Sequence, residues 1–400
     1  YRIALIVSIA NDFLTQSSDG RLDANGISSA DRDKISVMRA EARFLRALAF
    51  WHSLDLFRNI PLVTEITTDN PTQADPTELF DFIEKELLDI IDVLPDARQN
   101  DYGRVDKAAV WMLLSKLYLN AEAMIGIAHY DECVPFLESV INAGYELEPD
   151  YKLLFGADNH LSNELIFTFP SDGVSSQTWG STTFLVHAPI GGSMEPLDYG
   201  VDGGWAGLRT TRQMLEKFSD LTGDIDGRAI FYTDGQSIDI DDIGVFEQGI
   251  AVPKFTNLDR LGNAGSNLTH CDTDYPLFRL ADAYLMYAEC AARNASGADK
   301  SSATNYVNDL RERAYGNTEG NISESDLDLD FILDERVREL YFEGGRRIDL
   351  IRFGKFASGY NWDWKGNVQE GRDIEEFRTI FPIPASDLAA NPLLEQNEGY

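Results

Sequence analysis

The sequence predicts a mainly α-helical protein in which pairs of helices pack against a long irregular region with little β-structure. Three features indicate this class. Residues 41–63 are apolar on nearly every face of a helix, and further helical patterns follow in pairs. Residues 145–276 show little helical periodicity and hold more than half of the glycines. A helix that is apolar all round needs neighbours on several sides, so we expect a layered stack of helices.

The first predicted pair of helices covers about 34–58 and 76–94. The second helix of the pair begins with Asp75-Pro76-Thr77-Glu78, a capping box with proline at the first helical position. The chain itself opens within a helical pattern, YRIALIVSIANDFL, that has no cap before it. We therefore expect that the natural protein begins upstream and that part of its N-terminal region lies outside this sequence.

Two further pairs are predicted at about 106–123 with 130–142 and at about 278–294 with 300–314, and one more helix at about 327–343. Antiparallel pairs of this length are typical of tetratricopeptide-type repeats. The distance between pairs varies, so the predicted repeat is degenerate and interrupted by insertions.

We divide the chain by sequence into a helical repeat region at 1–144, an irregular region at 145–276 and a C-terminal helical region at 277–400, all within one integrated domain. Within the irregular region we expect a short helix at about 210–218 and a short strand at 165–170. Long irregular regions inside a compact domain are often functional.

The chain has 34 lysines and arginines against 67 aspartates and glutamates, a formal net charge of −33. So acidic a surface repels phosphate backbones, which argues against nucleic acid as a ligand. Cys133, Cys271 and Cys290 form neither a disulfide framework nor a zinc motif. Cys133 and Cys290 lie in helical apolar runs, and we predict that they are buried thiols. No apolar run is long enough to cross a membrane.

Acidic clusters do not match a calcium loop. The run Asp239–Asp242 and the turn at 223–227 lack the required spacing, and solvated acidic turns are the favoured interpretation. We predict no metal and no cofactor. An enzyme remains a rival hypothesis, although the chain has no GxSxG, HExxH, Walker A or GxGxxG motif. A plain helical-repeat adaptor that binds peptides is a third hypothesis.

Six segments stand out in a fixed order: EARFLRALAFWHSLDLFRNIPLV, GGWAGLRTTRQMLEKF, VPKFTN, PLFRLADAYLMYAECAARN, ILDERVRELYFEGGRRIDLIRFG and FPIPASDLAANPLLEQNEGY. In this order they resemble the SusD/RagB family of bacterial nutrient-binding outer-membrane lipoproteins, and the similarity extends from about residue 36 onward. The N-terminus departs from the family, because its lipid-modified cysteine and the first part of its fold have no counterpart here.

The resemblance implies a SusD-like α/α superhelix of four helix pairs and a non-catalytic protein that captures a glycan or, less often, a peptide or glycopeptide. It implies delivery of that ligand to a partner SusC-like TonB-dependent transporter. It also implies a position on the outer face of the outer membrane, held by a lipid anchor that is not present in this chain.

Aromatic rings suit the flat faces of sugars, and amide, carboxylate and guanidinium groups suit their hydroxyls. Trp205 lies among glycines, and Trp179 lies among small polar residues. An alternative for Trp205 is that it fills the junction between the loops and the helix at 210–218. Trp51 and Trp111 lie on helical stripes and are predicted to pack. The predicted ligand-binding residues are Trp179, Trp205, Tyr199, Arg209, Gln177, Asp202 and Tyr232.

Overall fold

The computed structural model of the protein describes residues 2–400. Within them lie fourteen α-helices and four short strands, which confirms the mainly α-helical class. The helices are α1 (Arg2–Gln16), α2 (Asp19–Ala24), α3 (Ser29–Phe57), α4 (Pro76–Ile90), α5 (Lys107–Leu119), α6 (Ala121–Ile125), α7 (Tyr130–Ile141), α8 (Ser181–His187), α9 (Arg212–Leu215), α10 (Leu280–Ala292), α11 (Lys300–Tyr315), α12 (Leu329–Leu340), α13 (Arg346–Arg352) and α14 (Ala385–Ala390). The strands are β1 (Leu165–Phe169), β2 (Arg209–Thr210), β3 (Ile250–Ala251) and β4 (Tyr275–Arg279).

The chain folds as two compact units. The first contains the chain through Ser139 together with Glu375–Tyr400, and the second is Val140–Ile374. Among the helices of residues 2–400, none combines the length and the apolar character that a bilayer crossing requires.

Helix α3 is the central element of the first unit. It begins after Ser28, whose hydroxyl accepts a hydrogen bond from the backbone N–H of Asp31. Its apolar side chains are buried along consecutive turns, at Phe44, Ala47, Leu48, Phe50, Trp51 and Leu54. Neighbours lie on more than one side, because Arg46 donates to Asn11 of α1 at 2.7 Å and Arg43 donates to Glu86 of α4 at 2.7 Å. The predicted burial of this helix on several faces is confirmed.

The N-cap predicted at Asp75 for helix α4 is present. Asp75 accepts hydrogen bonds from the backbone N–H groups of Thr77 and Glu78, at 2.8 and 2.9 Å. The predicted helix at 106–123 is two helices, since Asn120 leaves the helical conformation between α5 and α6. Helix α7 packs on α5, where the thiol of Cys133 donates to the carbonyl oxygen of Ser115 at 3.2 Å. All three cysteines are buried, which confirms the prediction for Cys133 and Cys290.

The C-terminal tail is hydrogen-bonded to the C-terminal end of α3. The backbone N–H of Phe381 donates to the carbonyl oxygen of Leu56 at 2.7 Å. The side-chain amide of Asn397 donates to the carbonyl oxygen of Phe57 at 2.9 Å. These bonds occupy carbonyl groups that the end of a helix leaves without an internal partner.

The second unit contains the last helix pair and the helices after it. Tyr284 of α10 stacks on Tyr306 of α11 with centroids 4.6 Å apart. Arg352 of α13 donates from Nε and Nη2 to the two carboxylate oxygens of Glu289 in α10, each at 2.7 Å. The helix predicted at 327–343 is α12, which ends at Leu340 because Tyr341 leaves the helical conformation.

Two small antiparallel sheets link distant parts of the second unit. Strand β1 confirms the strand predicted at 165–170 and pairs with β4, with Leu165 opposite Arg279 and Phe169 opposite Tyr275. Strand β2 pairs with β3. The helix predicted at 210–218 is wrong in extent, because Thr210 belongs to β2 and the helix α9 is only four residues long. After α9 the chain forms a tighter turn, in which the backbone N–H of Phe218 donates to the carbonyl oxygen of Leu215, three residues earlier.

Candidate functional site

Beyond the β1–β4 pair, the segments 170–180 and 267–274 remain adjacent. The backbone N–H of Ser171 donates to the carboxylate of Asp274 at 2.7 Å, and that of Gly173 donates to Asp272 at 2.7 Å. Glycine is required at 173, because an added Cβ would lie 2.4 Å from the carbonyl oxygen of His270. The strand pairing therefore brings two sequence-distant loops to one place.

A third segment, the loop 203–208, folds back over the end of α8. The backbone N–H of Trp205 donates to the carbonyl oxygen of His187 at 2.9 Å, and that of Gly207 donates to Ala188 at 2.8 Å. The approach is close at Gly204, where an added Cβ would lie 2.2 Å from the carbonyl oxygen of Ile190. These contacts fix the backbone that carries Trp205.

The three segments and α8 assemble five rings, which we call the aromatic cluster: Trp179, Phe184, His187, Trp205 and His270. The indoles of Trp179 and Trp205 lie 6.2 Å apart at an interplanar angle of 46°. His270 lies 4.7 Å from Trp179, Phe184 lies 6.0 Å from Trp205, and His187 stacks on Trp205 at 5.1 Å and 15°. The Trp179–Trp205 pair therefore presents two ring faces at an angle to each other.

Three rings of the aromatic cluster face solvent. Trp179 is 62 % exposed, Phe184 is 44 % exposed and Trp205 is 40 % exposed, whereas His187 is only 2 % exposed. Large exposed aromatic side chains grouped together mark a contact surface, since scattered single apolar residues are the norm elsewhere. The cluster can offer flat apolar area to a ligand at low conformational cost.

Polar groups border the aromatic cluster. The Asp202 carboxylate accepts a hydrogen bond from the Thr269 hydroxyl, which joins two of the loops. The amide of Gln177 donates to the carbonyl oxygen of Gly173 at 2.9 Å. Asp172 is exposed, and hydrogen bonds from the backbone N–H groups of Ser175 and Val174 hold the pKa of its carboxyl below the usual range. The border is acidic and rich in carbonyl and amide groups.

Three of the predicted ligand-binding residues lie in other surroundings. Tyr199 and Tyr232 pack against the hydrophobic core of the second unit, and burial raises the pKa of Tyr199 to about 12. The guanidinium of Arg209 donates to the backbone carbonyls of Ile243 and Gln248, at 2.7 and 2.6 Å. It also donates to the carbonyl of Val245. Arg209 therefore holds the loop at 243–248 to strand β2.

The structure thus brings together Trp179 and Trp205, with Gln177 and Asp202 on the same segments. It adds three rings that the sequence did not single out: Phe184, His187 and His270. The histidines are scattered along the chain without metal-ligand spacing, and only the pairing of β1 with β4 and the fold-back of the loop 203–208 bring them together. No local pattern in the sequence announces that arrangement.

The carboxylates of the acidic run at 239–242 bind partners within the second unit. Arg212 pairs with Asp239, and the amide of Gln369 donates to Asp241 at 2.7 Å. Asp242 accepts from the backbone N–H of Gly244 at 2.8 Å. Over residues 2–400, no group of three or more histidine, cysteine, aspartate or glutamate side chains is arranged to hold a metal ion.

Comparison with known proteins gives consistent matches. A family model described as the SusD family matches residues 219–400. Starch-binding protein SusD of Bacteroides thetaiotaomicron is 33 % identical over 448 residues, which cover 100 % of this chain and 77 % of that protein. SusD-like protein P2 of Formosa agariphila is 27 % identical over 404 residues, covering 94 % of this chain and 76 % of that protein.

Solved structures share the fold. A laminarin-binding SusD-like protein superposes with a TM-score of 0.74 at 24 % identity, covering 98 % of this chain and 83 % of its own. A SusD superfamily protein from Bacteroides vulgatus superposes with a TM-score of 0.76 at 21 % identity, covering 100 % of this chain and 84 % of its own.

Proposed function

The chain belongs to the SusD family, and from this premise we propose that it is a non-catalytic cell-surface protein that captures a glycan at the aromatic cluster. In this proposal the glycan passes to a partner SusC-like TonB-dependent transporter in the outer membrane. The single observation that carries the proposal is the exposed pair of indoles, Trp179 and Trp205, held 6.2 Å apart on two loops that are each hydrogen-bonded to the segment 267–274.

Two relatives support a glycan over a peptide. One carries the name starch-binding protein and another is described as laminarin-binding. Starch and laminarin are both uncharged polymers of glucose, whose pyranose rings offer apolar faces bordered by hydroxyls. Such faces suit indole rings, and the surrounding carbonyl, amide and carboxylate groups accept or donate hydrogen bonds to hydroxyls.

The charge of the region favours an uncharged glycan. Residues 145–276 hold seven lysines and arginines against twenty-one aspartates and glutamates. Several of the cations are engaged, as Arg209 binds backbone carbonyls, Arg212 pairs with Asp239 and Arg260 pairs with Asp158. A polymer of uronic acids or sulfated sugars would meet like charge here, which costs binding free energy.

Affinity electrophoresis of the purified protein through gels that contain single polysaccharides tests this proposal. We expect retardation by a neutral polysaccharide and none by a uronic-acid or sulfated polymer at low salt. Binding of peptides without retardation by any glycan would overturn the glycan assignment. An increase in reducing ends during incubation would overturn the non-catalytic assignment.

A further inference from the structure

We propose that His187 is a positioning residue for the aromatic cluster, and that its ring holds the cluster in binding geometry only when both ring nitrogens carry protons. The inference rests on the proposed function, since it concerns the affinity of the same cluster for a glycan. It adds a dependence on the protonation state of one buried side chain.

The ring of His187 lies between two backbone carbonyl oxygens. Nδ1 is 2.6 Å from the oxygen of Gly203, and Nε2 is 3.0 Å from the oxygen of Thr269. A carbonyl oxygen can only accept a hydrogen bond. A neutral imidazole has one N–H, so it can donate to one of these oxygens while its other nitrogen faces the second oxygen with a lone pair. The imidazolium donates to both.

The two carbonyls belong to different loops. Gly203 opens the loop that carries Trp205, and Thr269 directly precedes His270, which lies against Trp179. The doubly protonated ring therefore joins the backbone beneath Trp205 to the backbone beneath the contact partner of Trp179. With one bond lost, the two indoles are joined less firmly.

Contacts on the face of the ring also favour the charged form. The His187 ring lies parallel to the indole of Trp205, with centroids 5.1 Å apart, and a cation over an indole face is stabilised by the ring quadrupole. His187 is almost completely buried, whereas the indole of Trp205 is 40 % exposed, so only the imidazole side of this contact is shielded from water.

The titratable groups on the elements around the ring are Asp202, His270, Cys271 and Asp272. The Asp202 carboxylate accepts a hydrogen bond from the hydroxyl of Thr269, and the Asp272 carboxylate accepts one from the hydroxyl of Ser266. Burial raises the pKa of Cys271 to about 12, so its thiol stays neutral. His270 carries the other imidazole on these elements, and it requires its own control.

The sign of the pH dependence follows from the number of N–H donors. When both ring nitrogens carry protons, both carbonyls accept hydrogen bonds and the cluster is held. As the pH rises and the ring loses a proton, one bond is lost and the loops loosen. Glycan affinity should therefore be highest on the acidic side of neutrality and should fall as the solution becomes alkaline.

The first test measures the dissociation constant for a retarding glycan between about pH 5 and pH 8. We expect the affinity of the native protein to fall about tenfold as the pH rises across this range, because a tenfold change corresponds to the loss of one hydrogen bond to a charged group. His187→Gln should bind weakly with no slope, and His270→Gln should keep the slope. A flat native profile, or an unchanged slope in His187→Gln, would overturn the inference.

The second test needs no ligand. The protein is labelled with ¹⁵N at its histidine side chains, and the His187 signals are assigned by their absence in His187→Gln. Two protonated ring nitrogens at acidic pH, and one as the pH rises, are expected. A ring that stays neutral throughout would overturn the inference even where a glycan binds. If no glycan binds at any pH while the ring titrates, the proposed function fails and the link between the loops stands.

Discussion

Arg279 and Glu339 form a fully buried ion pair at the centre of the second unit, with Nη1 2.7 Å from Oε1. Arg279 is the last residue of β4, and Glu339 lies on the inner face of α12. The same guanidinium also donates to Glu164 at 2.8 Å and to Glu343 at 2.8 Å. One arginine thus fastens the sheet beneath the candidate site to three carboxylates.

The pair belongs to a larger network of buried charges. Glu339 also pairs with Arg313 and with Arg228, whose guanidinium binds Asp226 through two parallel hydrogen bonds at 2.9 and 2.8 Å. Charges taken out of water are tolerated when each is paired and hydrogen-bonded, and removal of one partner leaves the others uncompensated. The network therefore makes the packing of α12 against β4 sensitive to single substitutions.

We predict that Glu339→Gln lowers the free energy of unfolding by about 3–5 kcal/mol, because three buried guanidinium groups lose their shared counter-charge. Denaturant unfolding followed by circular dichroism measures the loss. Glu324→Gln is the matched control, since Glu324 is exposed, and it should change stability by no more than about 0.5 kcal/mol. Equal stabilities for the two variants would contradict this account.

The same network predicts a direction for acid denaturation. Burial alone would raise the pKa of Glu335, but the guanidinium groups of Arg228, Arg338 and Arg311 outweigh it and lower the pKa to about 2. Three guanidinium groups likewise hold the pKa of Glu339 well below its usual range. A carboxyl whose pKa is lower in the folded state stabilises that state fully above its unfolded pKa, about 4.3.

Stability should therefore stay level from neutral pH down to about pH 5 and then fall steadily, since below about pH 4.3 the unfolded chain takes up protons that the folded chain does not. Urea midpoints measured at a series of pH values test this. In Glu335→Gln the fall should be shallower than in the native protein. A native midpoint that rises between about pH 4 and pH 2 would contradict the sign.

The sequence predicted the helices well and the charge network not at all. Apolar periodicity and caps such as Asp75 are local signals, so α3, α4, α10 and α11 were located to within a few residues. Glu335 and Glu339 lie in a segment that is rich in charged residues, a pattern that is typical of a solvent-exposed helix face. One of their partners, Arg228, lies more than 100 residues away, and only the folded chain shows that the two carboxylates point inward.

The candidate site was predicted in the same uneven way. The polar or glycine neighbours of Trp179 and Trp205 favour a contact role for these rings, with packing at the loop junction as the alternative for Trp205. No local pattern indicates His187 and His270, because their place depends on the pairing of β1 with β4. Arg209 was chosen for its nearness to Trp205 in sequence, but proximity along the chain does not show that its guanidinium meets three backbone carbonyls.

Substitution of Arg209 separates a ligand contact from a structural clamp. Because its guanidinium is bound to carbonyls of the 243–248 loop, we expect Arg209→Lys to lower the melting temperature by a few degrees, equivalent to about 1 kcal/mol or more. Glycan affinity should change less than twofold. Differential scanning fluorimetry and affinity electrophoresis on the same sample distinguish the roles. Lost affinity at an unchanged melting temperature would make Arg209 a ligand contact.

Substitution of the exposed indoles should have the opposite effect to substitution of Arg209, because it should lower glycan affinity more than stability. Trp179→Ala and Trp205→Ala are each expected to weaken glycan binding by about tenfold or more, which corresponds to about 1.4 kcal/mol. Trp179→Ala should have little effect on the melting temperature, since most of the surface of Trp179 is already exposed to solvent. Trp111→Ala, on a helix of the first unit, is the control and should leave affinity unchanged. Intact affinity in both cluster variants would show that these rings do not meet the ligand.

Neighbouring glycines offer a sharper test of the loop that carries Trp205. A Cβ at Gly204 would lie 2.2 Å from the carbonyl oxygen of Ile190, whereas a Cβ at Gly203 would meet nothing within 4 Å. Gly204→Ala must therefore displace the backbone, and with it the hydrogen bond from Trp205 to His187 and the stacking of their rings. Gly203→Ala adds the same methyl group one residue earlier at no steric cost.

We expect Gly204→Ala to weaken glycan binding about as much as Trp205→Ala, because it misplaces the indole without removing it. Gly203→Ala should bind like the native protein. Titration of both variants with one retarding glycan, together with their melting temperatures, makes the comparison. If both alanine variants bind equally well, the position of Trp205 does not depend on the close packing of the loop against Ile190, and the cluster is held in place by its other contacts.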